Sequence, residues 1–475
     1  MHARIAAGVV LCALAPLAAA AESTRWQVVN ANQTKVGQAR IIRNETASSI
    51  VESEQLDVQL GKSGRRVRYR VMVETESGVD GALRRLAREV QTREGHSRIE
   101  VLINGDDLEI RHGLAGAVTT QRLAGAAHDL KSTEFARAWL AAVARGESPP
   151  PLRYRSWDPV KIAVVDVELV VRHGDARANV ERHVHGPRDS SSALLADKNG
   201  DLVREVMALG GFDFERVDAS EQQARLPNAV FDHVAPLLQK SPYRIPSADM
   251  DQKIRYRFDN HGDMGALPSG AGQRTWIEGE STWVQVCASC PLDAVELGGD
   301  ERRRALEPTQ WLESADPQLA RRARGLIKDS DDAATRMRRL TDFVRGHMGS
   351  EIDMLGYGTA LEALRSRRGD CTEFAVLLAA LGRASGVPTR IAIGRVYARH
   401  FEGYRHVFVP HAWVQAWTGK GWESFDAAIG TFDSTHLAFA VSYDGNPITH
   451  FDGLTLSREL TLRTAARVLP RKAAH

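Results

Sequence analysis

The sequence predicts an α+β protein: an antiparallel β-rich first half, then a second half in which helices come before strands. Three observations carry this. Val67, Tyr69, Val71 and Val73 alternate with Arg66, Arg68, Arg70 and Met72, the period of a strand with one face in a core. Asn104-Gly105 and Asn199-Gly200 each separate two short apolar runs, a strong hairpin signal. After Glu301 the apolar spacing changes to that of helices, with Met337, Leu340, Val344 and Met348 on one stripe.

At 475 residues and 43% hydrophobic, the chain is long enough for more than one core. Its charged fraction is 26% and its net charge +2, so nothing in the balance calls for a nucleic-acid partner or an electrostatic hold on membranes. Met1 to Arg4 is basic, Ile5 to Leu17 is apolar, and Ala18 to Ala21 supplies a small-residue cleavage pattern. Residues 1–21 therefore read as a secretory signal peptide, the apolar run being short for a membrane span. No later run reaches the roughly eighteen apolar residues of a span. The expectation is an exported protein, periplasmic, without an integral membrane segment once the signal is removed.

Residues 22–225 form the β-rich region. Leu56, Val58 and Leu60 alternate before Gly61-Lys62-Ser63-Gly64 and should pair with the run at Val67. Val160 to Val171 is another strand candidate. One helix interrupts, with Ser132 as N-cap, Phe135, Trp139, Leu140 and Val143 as its stripe, and Gly146 as its stop. His96, His112 and His128 are scattered and read as surface or loop residues. Residues 226–250 carry Pro227, Pro236, Pro242 and Pro246 and read as a junction. Residues 251–475 make the second unit. Leu319 to Ile327 is helical, Asp329 to Asp332 provides acidic helix-start residues, and Thr359 to Ser366 is a third helix. Strands follow at Thr389–Tyr397, Ala412–Trp417 and Gly421–Phe425.

With Cys12 in the signal, three cysteines remain. Cys287 and Cys290 can close a local disulfide in an oxidising compartment, with a redox role for the pair as the alternative. Cys371 is then the odd thiol, at the expected start of a helix whose apolar face is Phe374, Leu377, Leu378 and Leu381. There the helix dipole favours thiolate, and unpaired N–H groups can receive an oxyanion. A hairpin turn at Thr418 to Gly421 with an even loop puts His411 and Asp426 on one sheet face, either opposite or one diagonal step apart. Asp426 could then orient the imidazole and leave its other nitrogen for the thiol. A buried cysteine and a core histidine beside Trp413 are the competing readings.

Residues from about 318 to 430 resemble the transglutaminase-like superfamily, whose core is the papain-type cysteine fold. The resemblance rests on Arg368-Gly369-Asp370-Cys371-Thr372-Glu373-Phe374-Ala375, Gly386-Val387-Pro388-Thr389-Arg390, His411-Ala412-Trp413-Val414 and Trp422-Glu423-Ser424-Phe425-Asp426. It implies Cys371 as nucleophile, His411 as general base and acid, and Asp426 as the residue orienting His411. It implies an amide acyl group of a peptide or protein as substrate, cleaved or transferred through a Cys thioester. Hydrolysis is the favoured outcome over cross-linking, and a non-catalytic scaffold is the alternative. The superfamily often adds an oxyanion donor upstream of the cysteine, for which Tyr357 is the candidate. No metal or cofactor is expected, since no acidic loop resembles a calcium site.

Overall fold

The protein is described by a computed structural model over residues 21–62, 65–91, 96–114, 117–173, 178–186, 189–209, 212–229, 231, 237–260, 267–291, 296–349, 358–446 and 460–468. Residues 1–20 of the expected signal peptide, 1–21, lie outside the described residues, and its last residue, Ala21, begins the first strand. Tyr357 lies outside them too.

A single 14-stranded antiparallel sheet fills the first half. Almost every strand pairs with its sequence neighbours, so the sheet is a long meander. The non-local joint is between the first strand, Ala21–Ala31, and the last, Phe212–Ala219, in register Val28↔Val217. This joint leaves Ala117–Leu123 and Leu152–Asp158 as the two edges. Between those edges the chain makes the expected helical insert, a 3-10 turn Thr133–Ala136 and the helix Arg137–Ala144, with the Ser132 hydroxyl accepting the Glu134 N–H. Arginines and acids meet across strands on exposed faces, as Arg153 and Glu168 do directly opposite one another at 2.6 Å. Such solvated pairs explain how a chain so rich in arginine stays near neutrality.

The second half has two sheets and a helical layer. In the five-stranded sheet, Tyr404–Trp417 lies between Thr389–Phe401 on one side and Trp422–Phe425 and Gln239–Lys240 on the other; Leu437–Ser442 extends it beyond Thr389–Phe401. Gln239–Lys240 thus takes part in this sheet although it sits in the proline-containing stretch. The four-stranded sheet runs Gln273–Glu278, Ser281–Val286, Ile254–Asn260, Leu460–Arg467. Cys287 and Cys290 form a disulfide just past its second strand.

The helices begin where polar caps stop the orphan N–H groups of a first turn from going unpaired. Asp316 caps Pro317–Leu326, Asp332 caps Ala333–His347, Thr359 caps Ala360–Ser366 with a capping box to Glu362, and Asp370 caps Cys371–Ala384 with a box to Glu373. The last helix is the hub. Nearly all of it is buried, between the other helices and the strands Thr389–Phe401 and Tyr404–Trp417. Its core is continuous with Leu86, Val101, Leu108 and Ile110 of the first sheet.

His112 departs from expectation. It is buried on the strand Asp107–Leu114, and its Nδ1 bonds Glu362 at the start of the helix Ala360–Ser366. A strand with one buried face takes a histidine inside when a partner carboxylate meets it there.

Candidate active site

Cys371 opens the buried helix and is itself largely buried, with a small exposed remainder, while His411 and Asp426 are buried. The hairpin has a four-residue loop, since Trp417 pairs with Trp422 and Val414 with Phe425. Continuing that register puts Trp413 opposite Asp426, so His411 is one diagonal step away on the same face. The imidazole Nε2–H donates to Asp426 Oδ2 at 2.6 Å. Its Nδ1 is therefore the nitrogen left over. The next residue, Ala412, directs its backbone N–H at the Cys371 sulfur. These contacts bring all three sequence-selected residues into one cluster.

The nucleophile turn is built from carboxylates as well as from helix. Asp370 accepts the Thr372 N–H at 2.8 Å and the Glu373 N–H; Glu373 in return accepts the Asp370 N–H at 2.9 Å and the Gly358 N–H at 2.8 Å. Gly369 is required here. Its φ is +148°, and a Cβ would lie 2.3 Å from the Glu373 Cβ. With Asp370 occupying two of the first-turn donors, the Cys371 N–H is the one without a partner among the described residues and is free for an oxyanion.

The expected thiolate does not follow. Burial raises the Cys371 pKa well above its usual value, and the Asp370, Glu373 and Asp426 charges push the same way against the Ala412 N–H. The positive end of the helix dipole is met by the cap carboxylates before the sulfur can benefit from it. A resting thiol that gives its proton to a neighbouring base is the chemistry this turn supports.

Asp426 is held as an anion. Burial would raise its pKa, but His411 and His436 overcome that and hold it far below the carboxylate range. Its Oδ1 accepts the N–H groups of Ala428 and Ile429 at 2.8 and 3.0 Å, and its Oδ2 accepts from both imidazoles.

His436 was not found by sequence reasoning. It is buried at the end of a loop, with Nε2 3.1 Å from Asp426 Oδ2 and Nδ1 3.1 Å from Asp433 Oδ1. No helical or strand period marks it; the one signal is Asp433 three residues earlier. Gly394 makes its position possible. That glycine pairs with His411 on one side and Ala438 on the other, and a Cβ on it would sit 1.8 Å from the Leu437 carbonyl oxygen. Trp413 then lies over both imidazoles, at 6.1 Å from the His411 ring and 5.2 Å from the His436 ring.

His411, Asp426 and His436 each offer a ligand atom, and these lie within 4.8 Å of one another. Both Nε2 atoms bond the same carboxylate oxygen of Asp426. A cavity of about 260 Å³ opens elsewhere, at the seam of the two halves, lined by Ile110, His112, Gln121, Trp311, Glu313 and Thr359. Burial pushes the Glu313 carboxyl there up to about 7.

Comparison with known proteins finds likenesses to parts of the chain. A curated relative, the uncharacterized protein ML0607 of Mycobacterium leprae (strain TN), is 26% identical over 189 residues, spanning 38% of this chain and 62% of that protein. The periplasmic domain of TgpA from Pseudomonas aeruginosa, solved bound to ethylmercury, aligns at 18% identity and a TM-score of 0.29, covering 40% of this chain and 74% of that one. A β-barrel-like protein of a domain of unknown function from Brucella abortus aligns at 10% identity and a TM-score of 0.33, covering 41% and 94%. Residues 320–427, which include Cys371, His411 and Asp426, match the model of the transglutaminase-like superfamily, and the C-terminal half of the chain carries a transglutaminase-like domain.

Proposed function

We propose that the chain is an exported thiol enzyme that cleaves or transfers an amide acyl group of a peptide or protein. Cys371 is the nucleophile, His411 the base and acid, and Asp426 the group that fixes the imidazole. The observation that carries this reading is the bond from His411 Nε2 to Asp426, with the adjacent Ala412 N–H aimed at the sulfur. That tautomer leaves Nδ1 to take the thiol proton as sulfur attacks the amide carbonyl. The oxyanion is met by the Cys371 N–H. His411 returns the proton to the leaving amine, giving a thioester. Water, with its proton passed to His411, then releases the acid; an amine in its place would give transamidation. Hydrolysis is favoured because water is always present.

Export to the periplasm is part of the proposal. It is supported by the leader pattern of residues 1–21 and by the Cys287–Cys290 disulfide, which persists best in an oxidising compartment. Among the described residues no helix is long and apolar enough to cross a membrane.

The raised thiol pKa favours a second reading, a non-catalytic scaffold with a buried cysteine. Iodoacetamide labelling at pH 6 and 8 separates the two. The enzyme reading expects Cys371 labelling to depend on His411 as base and to slow at least tenfold in His411→Ala. A rate unchanged in His411→Ala leaves the scaffold.

A further inference from the structure

We propose that His436 is a positioning residue for the Cys371–His411 pair: a buried cation that fixes the Asp426 carboxylate and offsets its charge, leaving His411 free to act as base. This rests on the catalytic reading above.

A buried carboxylate touching a single imidazole raises the proton affinity of that ring. A ring made too basic stays protonated at neutral pH and cannot take a proton from a thiol. In this site the carboxylate is shared. Asp426 Oδ2 accepts from His411 at 2.6 Å and from His436 at 3.1 Å, so part of its negative charge is spent on a second ring.

The surroundings hold that second ring as a cation. Asp426 meets its Nε2 and Asp433 meets its Nδ1, on opposite edges. Asp433 is itself fixed by the Thr435 N–H at 2.8 Å and hydroxyl at 2.6 Å. The His411 ring is 5.7 Å away. The Tyr256 phenol, from the neighbouring sheet, donates to the Ser434 carbonyl beside it. Trp413 and Phe432 pack their rings against it at 5.2 and 4.9 Å. Burial alone would discharge His436, yet the two carboxylates hold its pKa up at about 9. Two anions and one cation, mutually bonded, with Asp426 and His436 buried and Asp433 partly exposed, form a fixed electrostatic unit behind the base.

One contact points the other way. The Asp433 backbone N–H is 3.3 Å from His436 Nδ1, a distance at which it could donate to a neutral ring. The test therefore reads the protonation state directly.

In wild type, 15N NMR of labelled histidines should show both His436 nitrogens protonated from pH 5 to 8; a neutral tautomer in that range overturns the proposal. Separately, the rate of Cys371 alkylation is followed against pH in wild type, His411→Ala and His436→Gln. Glutamine keeps an N–H for Asp426 and removes the charge. A unit charge 5.7 Å from His411 at an effective dielectric of ~20 moves the midpoint upward by about one to two pH units in His436→Gln. A midpoint that stays put while the rate falls evenly at every pH makes His436 merely structural and overturns the inference. A wild-type profile indifferent to His411→Ala instead removes the catalytic reading itself. Should His436→Gln not fold, the NMR result on wild type decides.

Discussion

Asp426→Asn changes one atom and places an amide among four hydrogen-bond donors. In the native site, two backbone N–H groups converge on Oδ1 and two imidazole N–H groups on Oδ2. Asparagine has one carbonyl oxygen, so in either orientation its NH2 faces a pair of donors. Turning the oxygen toward Ala428 and Ile429 spares the backbone and sacrifices both imidazole bonds. Bonds to a charged group contribute about 1.5–3 kcal/mol each, which sets the loss at about 3–6 kcal/mol. The pH dependence has a definite sign. His436 has its pKa raised from 6.5 to about 9 by folding, so its stabilisation is complete below 6.5 and disappears as pH rises through 9. That interval corresponds to about 3 kcal/mol. Asp426 is depressed by folding, so its own contribution is lost only in acid, as pH falls below the usual carboxylate range, and stays constant over this window. Urea denaturation of wild type and Asp426→Asn, followed by tryptophan fluorescence at pH 6 and 9.5, should give a difference that shrinks at the higher pH by less than about 3 kcal/mol, because Asp433 still supports the His436 cation in the variant. A difference below about 1 kcal/mol at pH 6, or an equal one at both pH values, would refute the reasoning.

Three further outcomes are expected. Cys371→Ala should abolish iodoacetamide labelling and any amide turnover while lowering stability by only about 1 kcal/mol, because a single sulfur is removed from a partly buried position at the start of the helix; thermal melts and mass spectrometry check both. Gly369→Ala should destabilise by about 2–5 kcal/mol, since φ is +148° and the added Cβ meets Glu373; a urea midpoint within error of wild type would show that the turn yields easily. Cys287→Ser with Cys290→Ser should lower stability by about 2 kcal/mol, the chain-entropy value for so short a loop, and leave Cys371 alkylation rates unchanged; a loss of alkylation would give the pair a role beyond bracing.

How much of this was legible depended on how local the determining physics is. The helix Ala333–His347 is announced by the stripe Met337, Leu340, Val344, Met348 and by the acidic run ending at its cap Asp332, signals that lie within the element or at its ends. The His411–Asp426 hairpin was legible because an even loop fixes which face two residues share. Leu83–Gln91 shows the limit. Leu83, Leu86, Ala87 and Val90 have helical spacing, yet the segment is a strand, paired on both sides inside a sheet that overrides local preference. The joint between Ala21–Ala31 and Phe212–Ala219 spans nearly the whole first half and has no local signal at all. The raised Cys371 pKa has a different cause: burial comes first, and Asp370 and Glu373, which stand beside the cysteine in the sequence, add charges that oppose the helix dipole.

The seam between the halves shows why the β-rich region is more than an attachment. On one side, His112 and Thr119 bond the Glu362 carboxylate, and Arg365 donates to the Val118 carbonyl at 2.8 Å. On the other side, Glu362 Oε2 accepts the Thr359 N–H at 2.8 Å and closes the capping box that starts the helix Ala360–Ser366. One residue before that cap, the Gly358 N–H is bound by Glu373, whose second oxygen holds the Asp370 N–H at the nucleophile turn. The His112–Glu362, Thr359–Glu362 and Gly358–Glu373 bonds are buried, so removing any one of them strands a polar group in the core. The conformation of the Cys371 turn is therefore tied by continuous contacts to two strands of the first sheet. A domain boundary cut at the proline-containing stretch would expose Glu362 and the apolar surface shared with Leu86, Val101 and Ile110, and the transglutaminase-like half would lose the wall against which its nucleophile helix is braced.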